Sequence, residues 1–544
     1  MSNPSELPVG RTHDEPASTG AVTNPRRWWA LAVISVAVAM VIVDATIVNV
    51  VLPTIIGELG ITSAQAQWVQ ESYTLVFAAL LLSFGRIADR VGRRRMLVWG
   101  CAVFAVASAA AALAPNGDLL VVGRMLQGIG GAMIFPATLS LLNASFRGAD
   151  RNIAFAVWGA TIGGTAALGP LLGGWLTTLF SWRAAFVVFV PVAIALIVAA
   201  RALVTESRDP DAETGLDLTG SVLSIAAAGL LVLGLIEGRI WGWWTTTGPV
   251  EVLGQPWPWT LSPTPVVLGM ALLATAAFIG WERHRNHIGA AALVDLSLFR
   301  VRSFRNGNLV TAIVYLGEFG LLFALPLWWQ NVLGYSAAQT ALALLPLALA
   351  AFLAGAAAAG LANRLGPLAA VRFGLGAEIV GVVGLGLVIT TSTPWWATVP
   401  FLAVYGFGLG VGAAQLGSVV LADLPVARSG QGSGTSTTSQ QIGAALGVAV
   451  LGLVLFATLT QNLTERLATI GIPTDQAAGI ADRIQTTAGA AIRELAIDPA
   501  TQAAAEQARA ALATAVQATT FTAAAFLLLA LLATRSLTAS KNAA

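Results

Sequence analysis

Gly85–Leu97 reads GRIADRVGRRRML. Five arginines and one aspartate stand here between two long runs that are almost free of charge. A strongly basic hairpin between two hydrophobic spans marks a cytoplasmic loop, because short loops rich in Arg and Lys resist translocation. Placing this loop inside sets the side of every other span by alternation.

Composition agrees. The 544 residues are 56% hydrophobic and 10% charged, where a soluble chain averages about 25% charged. Lipid must solvate most of this chain, whose mean hydropathy is +0.77. The net charge of +2 says little about partners, and nothing in its distribution suggests nucleic acid. Cys101 is the single cysteine, so the chain has no internal disulfide and no cysteine-based metal site is expected. His13, His284 and His287 lie in a polar tail and a loop, without metal-binding spacing. No nucleotide loop or catalytic triad spacing stands out, so neither an enzyme nor a cofactor is expected.

Working outward from the loop, a span needs about 20 mostly apolar residues. Fourteen runs qualify, near 28–52, 65–85, 96–114, 118–141, 152–178, 183–203, 218–237, 264–281, 305–331, 338–361, 369–390, 395–420, 434–459 and 518–538. With both termini inside, inner segments hold 22 of the 29 Lys and Arg, as the positive-inside rule requires. The reading is an all-α polytopic membrane protein. Its parts are a disordered cytoplasmic tail (1–25), a six-helix bundle (26–203), a cytoplasmic linker (204–217) and two inserted helices (218–281). A cytoplasmic loop (282–304) and a second six-helix bundle (305–540) follow, the latter with an outer loop at 460–517. Short amphipathic helices, loosely packed, are expected in that loop from its Ala-rich composition. Five tryptophans between 239 and 263 read as a membrane-interface belt.

Six motifs stand on these spans in order. They are Gly85–Arg95 itself, Val43–Pro53 (VDATIVNVVLP), Gly123–Gly130 (GRMLQGIG), Gly169–Gly174 (GPLLGG), Ser181–Arg183 (SWR) and Gly443–Gly447 (GAALG). Together they resemble the major facilitator superfamily, in its fourteen-span drug:H+ antiporter branch. The resemblance implies two six-helix bundles flanking an inserted pair, with substrate bound between the bundles near mid-membrane. It implies a monomer in the cytoplasmic membrane that exchanges protons for small molecules. It also implies a latch, Gly85, Asp89, Arg90, Gly92 and Arg93, in which Asp89 meets the N-terminal end of the thirteenth span (434–441) when the transporter opens outward. Gly169, Pro170, Gly173 and Gly174 are expected to kink the fifth span and let a neighbour pack close.

Charges within spans carry the functional reading. An acid or Arg at mid-bilayer costs roughly 2.5–3.5 kcal/mol on insertion scales, so such residues are typically paired, cavity-facing and functional. Asp44, Arg124, Glu318 and Glu71 are the proton-coupling candidates. Asp44 and Arg124 fall at matching depth on the first and fourth spans, which points to a pair. Glu318 shares a helical stripe with Thr311, Tyr315, Leu322, Leu325 and Trp329, suited to a lipophilic cation. Tyr315, Glu318, Gln127, Gln415 and Gln441 are the substrate-binding candidates. Glu378 falls on a span that is peripheral in the family, and reads as structural. The function expected is proton-coupled export of small amphipathic or cationic compounds. A dedicated exporter of one natural product, siderophore or lipid stays open, as does a non-transporting membrane sensor.

Overall fold

Inside lipid every backbone N–H and C=O must be paired within the chain, which leaves the helix as the natural form for apolar runs. The computed structural model describes residues 26–146, 148–208, 217–246, 250–252, 255–290, 292–294, 296–424 and 429–537. Expectations for the tail 1–25, for 209–216 and for 538–540 lie outside the described residues. The first bundle comprises α1 (Arg26–Leu59), α2 (Ser63–Val91), α3 (Arg93–Ala112), α4 (Gly117–Ser145), α5 (Gly148–Leu179), α6 (Ala184–Val187) and α7 (Phe189–Leu203). The sixth expected span is thus two helices that meet at Val188.

An inserted hairpin follows, α8 (Leu218–Trp241) and α9 (Pro263–His287). Its tip departs from the all-helical expectation: β1 (Glu251–Val252) pairs antiparallel with β2 (Gln255–Pro256). The second bundle is α10 (Arg302–Asn331), α11 (Ala337–Leu365), α12 (Pro367–Val388), α13 (Trp395–Leu421), α14 (Ser429–Thr469) and α17 (Gln502–Ala533). Between its last two members lie α15 (Thr474–Thr486) and α16 (Ala491–Leu495).

Among the described residues, twelve helical stretches, α6 and α7 counted as one, are long and apolar enough to cross a membrane. α2 and α5, at 29 and 32 residues, match these spans in length. The segment 460–517 corrects the loop expectation. α14 continues ten residues past 459 and α17 starts sixteen before 518. The short helices between them are not loose: Ala477, Ala481, Ile484 and Ile492 are fully buried. Pro170 lies within α5, which runs through it as one helix.

The two bundles are built alike. α2 and α11 each start with a capping box, Thr62 with Gln65 and Ser336 with Gln339, whose side chains satisfy the free N–H groups of the first turn. A glycine with positive φ stands two residues before each cap, Gly60 and Gly334. Another such glycine turns the chain after each helix, Gly92 and Gly366. The same number of residues separates the members of every one of these pairs. It also separates Asp44 from Glu318. The sequence carries the repeat, LGITSAQ (59–65) against LGYSAAQ (333–339) and ADRVG (88–92) against ANRLG (362–366), and the sequence reading missed it.

Contacts joining the bundles gather at the end opposite Gly85–Arg95. Gln330 Nε2 donates to Val50 O at 2.9 Å, and Ala338 N to Thr178 Oγ1 at 3.2 Å. A Cβ on Gly174 would lie 2.5 Å from Ala337 O, and one on Gly452 about as close as 3.1 Å to the Gln67 amide. α8 bridges the seam between α2 and α14, where Leu75, Val232, Ile236, Ala445 and Ala449 form a small apolar cluster. Trp68 Nε1 donates to Glu237 Oε1 at 3.2 Å beside it.

Candidate functional site

α1 and α4 bring Asp44 and Arg124 together. Arg124 Nη1 lies 2.6 Å from Asp44 Oδ2, and the side chains are 1% and 0% exposed. Removing two charges from water is costly unless every remaining donor and acceptor finds a partner. Here they do. Gln127 Nε2 donates to Asp44 Oδ1 and to Ser108 Oγ, both at 2.9 Å. Arg124 Nη1 also reaches Gln127 Oε1 at 2.9 Å, and Arg124 Nε donates to Val69 O at 3.1 Å. The guanidinium carbon sits 4.4 Å from the Tyr73 ring centre, a cation–π contact. Tyr73 Oη in turn donates to Val41 O at 3.1 Å.

Gln127 was expected to line a substrate cavity. The structure corrects this: Gln127 is fully buried and committed to the ion pair. Its spacing, three residues past Arg124 on one helical face, was the signal available. Ser108 on α3 was not anticipated.

α5 touches this pair's helix directly. A Cβ on Gly169 would lie 2.9 Å from Val43 O, and one on Gly173 2.6 Å from Ile47 Cγ1. One residue further, Gly174 meets α11 of the other bundle. The glycine motif therefore lets α5 pack between α1 and α11, linking the pair's helix to the interbundle seam.

The second bundle gathers a different set. Glu318 (7% exposed) and Tyr315 come from α10, Glu378 (0%) from α12 and Tyr405 (0%) from α13. Glu378 packs against α13, where a Cβ on Gly408 would lie 2.7 Å from its Cγ and one on Gly412 3.1 Å from its Oε1. Tyr315 stacks on Phe319 with ring centres 5.9 Å apart. Gly443 and Gly447 on α14 pack against Ala312 and Leu316 on the adjoining turns of α10. Upper members of the expected stripe, Leu325 and Trp329, are fully buried and line no open space. Glu378, read from sequence as structural on a peripheral span, is fully buried.

Other candidates scatter. Glu71 is 1% exposed, with Oε2 lacking a hydrogen-bond partner. Gln415 is half-buried on α13, and its carbonyl accepts from Ser418 Oγ. Gln441 lines a small crevice with Leu75, Ala78, Ala228, Leu231 and Ala445, under the inserted helix.

At the basic loop, Asp89 pairs with Arg93 of the same loop at 2.8 Å. Gly92, at φ +126°, makes the turn that L side chains resist. Arg90 is exposed, and Gly85 lies in ordinary contact with Pro136. The loop is held by its own bundle: Glu206 Oε1 accepts from Arg94 N at 3.0 Å, and Ser207 O from Arg93 N at 3.1 Å. Glu206 was missed, although it is an early acid after the sixth span and falls on the same side as five arginines. Among the described residues no group of three or more His, Cys, Asp or Glu gathers as a metal site.

Two bundles, an inserted hairpin and paired charges buried in apolar helices define a membrane transporter. A model of the Major Facilitator Superfamily matches residues 34–448, and the chain belongs to that superfamily. Relatives are antibiotic and multidrug exporters, as the six motifs implied. The "Probable actinorhodin transporter" of Streptomyces coelicolor is 34% identical over 466 residues, 83% of this chain and 77% of that one. The "Multidrug efflux pump LfrA" of Mycolicibacterium smegmatis is 33% identical over 442 residues, 81% and 83% of the two. In fold the chain is similar to a bacterial homologue of the human lysosomal transporter Spinster, inward-facing and unoccupied. The TM-score is 0.62 at 17% identity, covering 95% of this chain and 98% of that one.

Proposed function

We propose that this transporter exports small amphipathic or cationic compounds across the cytoplasmic membrane in exchange for protons, by alternating access. In this reading fourteen helices span, α2 and α5 included, with both termini cytoplasmic. The observation that carries it is the Asp44–Arg124 pair, fully buried and hydrogen-bonded on α1 and α4. A proton taken up by Asp44 cancels the charge that holds Arg124. Arg124 then retains Val69 O, Gln127 and the Tyr73 ring, so the helices are freed to shift without leaving the cation bare. α5 lies against α1 beside Asp44 and against α11 at the seam, which gives the shift a route to the contacts between bundles. Inward movement of each proton down a potential supplies about 2.3 kcal/mol per 100 mV.

The relatives named for single antibiotics favour a second reading, a dedicated exporter of one natural product. A drug accumulation panel separates a broad range from a narrow one. The coupling is tested by proton release from reconstituted vesicles on adding candidate substrates. Wild type should release protons and Asp44→Asn should not. Normal gradient-driven efflux by Asp44→Asn would remove Asp44 from the coupling role. Sidedness is tested by cysteine labelling in whole cells with Cys101 replaced. An impermeant reagent should reach position 485 and not position 206.

A further inference from the structure

Two buried acids meet where the inserted hairpin begins and ends. Asp217 caps α8, and its Oδ1 accepts from Gly220 N and from Trp281 Nε1 of α9, both at 2.7 Å. Glu282, near the end of α9, accepts from Val294 N at its Oε2, 2.9 Å away. The two residues are 4% and 0% exposed. One oxygen of each carboxyl is thus spent. The other two, Asp217 Oδ2 and Glu282 Oε1, are buried without a hydrogen-bond partner. They converge on one spot. A Cβ on Gly220 would lie 2.6 Å from each, so at most twice that distance separates them.

Among the described residues, two cations stand near. Arg285 Nε lies 3.8 Å from Asp217 Oδ2, too far for a hydrogen bond. Arg86 of α2 donates through Nη2 to Ala292 O, two residues from the Val294 N–H that Glu282 holds. α2 also meets α8 here, with Ser83 Oγ 2.5 Å from Ser221 Oγ. Further along α2, Asp89 is paired with Arg93, and Arg90 is exposed. Arg283, His284 and His287 on α9 are exposed, as is Arg300 beyond the 292–294 turn. α8 carries no charge from 218 to 236, and α14, which also packs on α8, carries none from 429 to 464. Asp295 lies outside the described residues.

Two ionised carboxyls so placed set acceptor against acceptor with no donor between them, and they repel. A single proton removes one charge and supplies the donor that both oxygens lack. Carboxyls that share a site hold such a proton more tightly than either does alone. A metal ion is a poorer occupant, because only two unspent oxygens converge and Arg285 stands beside one of them.

We propose that Asp217 and Glu282 hold one proton between them, directly or through one water, and that this proton clasps the start of α8 to the end of α9. The pair titrates as a unit. When the proton leaves, the two anions part, and the ends of the hairpin separate beside the basic loop. Exchange of this proton with the cytoplasm rests on the sidedness given above; the existence of the site does not.

Infrared difference spectra of the full chain in lipid nanodiscs, recorded between acid and alkaline buffer, test the proton. Spin labels at the exposed positions 219 and 288, with Cys101 replaced, test the clasp. Wild type should lose a carboxylic-acid C=O band on alkalinisation, and Glu282→Gln should lack that band at every pH. Asp217→Asn should remove or shift the same band. Either amide keeps an oxygen for the existing bonds and offers an N–H where the proton was. The label distance should therefore lengthen with pH in wild type and stay at its acid value in both variants. A carboxylic spectrum unchanged by Glu282→Gln overturns the proposal. So does a Glu282 band that ignores Asp217→Asn, since Glu282 is then an isolated acid. A label distance that responds to pH alike in wild type and both variants, or not at all in wild type, refutes the clasp. Loss of the band on adding calcium at constant acid pH would make the site a cation's and also overturns the proposal. If Glu282→Gln does not fold, Asp217→Asn decides by the same two measurements.

Discussion

The two bundles set an acid at matching places, Asp44 in the first and Glu318 in the second, and then surround it differently. Asp44 meets Arg124 and Gln127 in a closed hydrogen-bond set. The residue of the second bundle that corresponds to Arg124 by the same offset is Thr398, whose hydroxyl is spent on Trp395 O at 2.9 Å. Glu318 is buried on α10, and the second bundle buries another acid, Glu378, on α12. A repeated backbone therefore does not repeat an electrostatic device. One bundle holds a net-neutral ion pair that a proton would break. The other buries two acids, and both carboxyl oxygens of Glu378 are without a hydrogen-bond partner.

The largest expected effect sharpens this contrast. Arg124→Ala strands a buried carboxylate, and removing one partner of such a pair typically costs about 3–5 kcal/mol. Replacing both partners by apolar residues costs less, because no charge is left alone. Thermal unfolding of the purified protein should rank Arg124→Ala well below wild type, with an Asp44→Leu/Arg124→Leu double variant partly restored. Glu378→Gln in the other bundle should fall within about 1 kcal/mol of wild type, since it orphans no counter-ion. If Glu378→Gln were as damaging as Arg124→Ala, the two sites would not differ as described.

A middle-sized effect is expected at the seam. Gly174 meets Ala337 O and the Ala341 side chain so closely that any Cβ must push α5 from α11. Overpacking of this kind costs about 1–3 kcal/mol where the fold cannot yield. Here the bundles can yield by parting at that end. Spin labels at positions 178 and 338 in Gly174→Val should report a longer distance than in the parent chain. Gly417 has nothing within 4 Å of its Cβ position, so Gly417→Val should leave that distance unchanged. Equal distances in all three would show that Gly174 does not hold the seam.

Much of this was legible before any coordinates. Apolar runs and arginine placement give the bundles, because lipid admits few alternatives to helices. Asp44 and Arg124 were paired from motif order and depth. Helical periodicity gives the face of a residue on its own helix, but not what packs opposite that face. This hid Ser108, and it let Gln127 pass for cavity lining. Glu378 was set aside on its helix's peripheral rank, while bare glycines on α13 open a path for its side chain inward. Polar residues at 460–469 read as loop by hydropathy and the Ala-rich 502–517 as a short, loose helix, yet both extend the flanking spans, and Ala buries readily against a neighbour. Ala504, Ala505, Ala508 and Ala511 do so on α17.

The smallest expected effect compares the turns that follow the two capping-box helices. Gly92 and Gly366 both have positive φ, at +126° and +87°. A side chain at either turn carries a backbone strain of about 1–2 kcal/mol. Their surroundings differ. A Cβ on Gly92 would lie 2.8 Å from the Glu206 carboxyl carbon and one of its oxygens, whereas a Cβ on Gly366 meets nothing within 4 Å. Glu206 cannot simply swing away, because its carboxylate accepts from Arg94 N and Ser207 N and lies 3.8 Å from the side chains of Arg94 and Arg95. These contacts are partly exposed, and pairs of this kind contribute about 0–1 kcal/mol. Gly92→Ala should therefore destabilise more than Gly366→Ala, by no more than that amount. In a Glu206→Ala background the two substitutions should cost the same, since the contact has gone and only backbone strain is left. The four proteins can be compared by thermal unfolding in one detergent. If Gly92→Ala and Gly366→Ala already match in the parent chain, Glu206 does not brace the basic turn, and the two turns are equivalent in energy as they are in position.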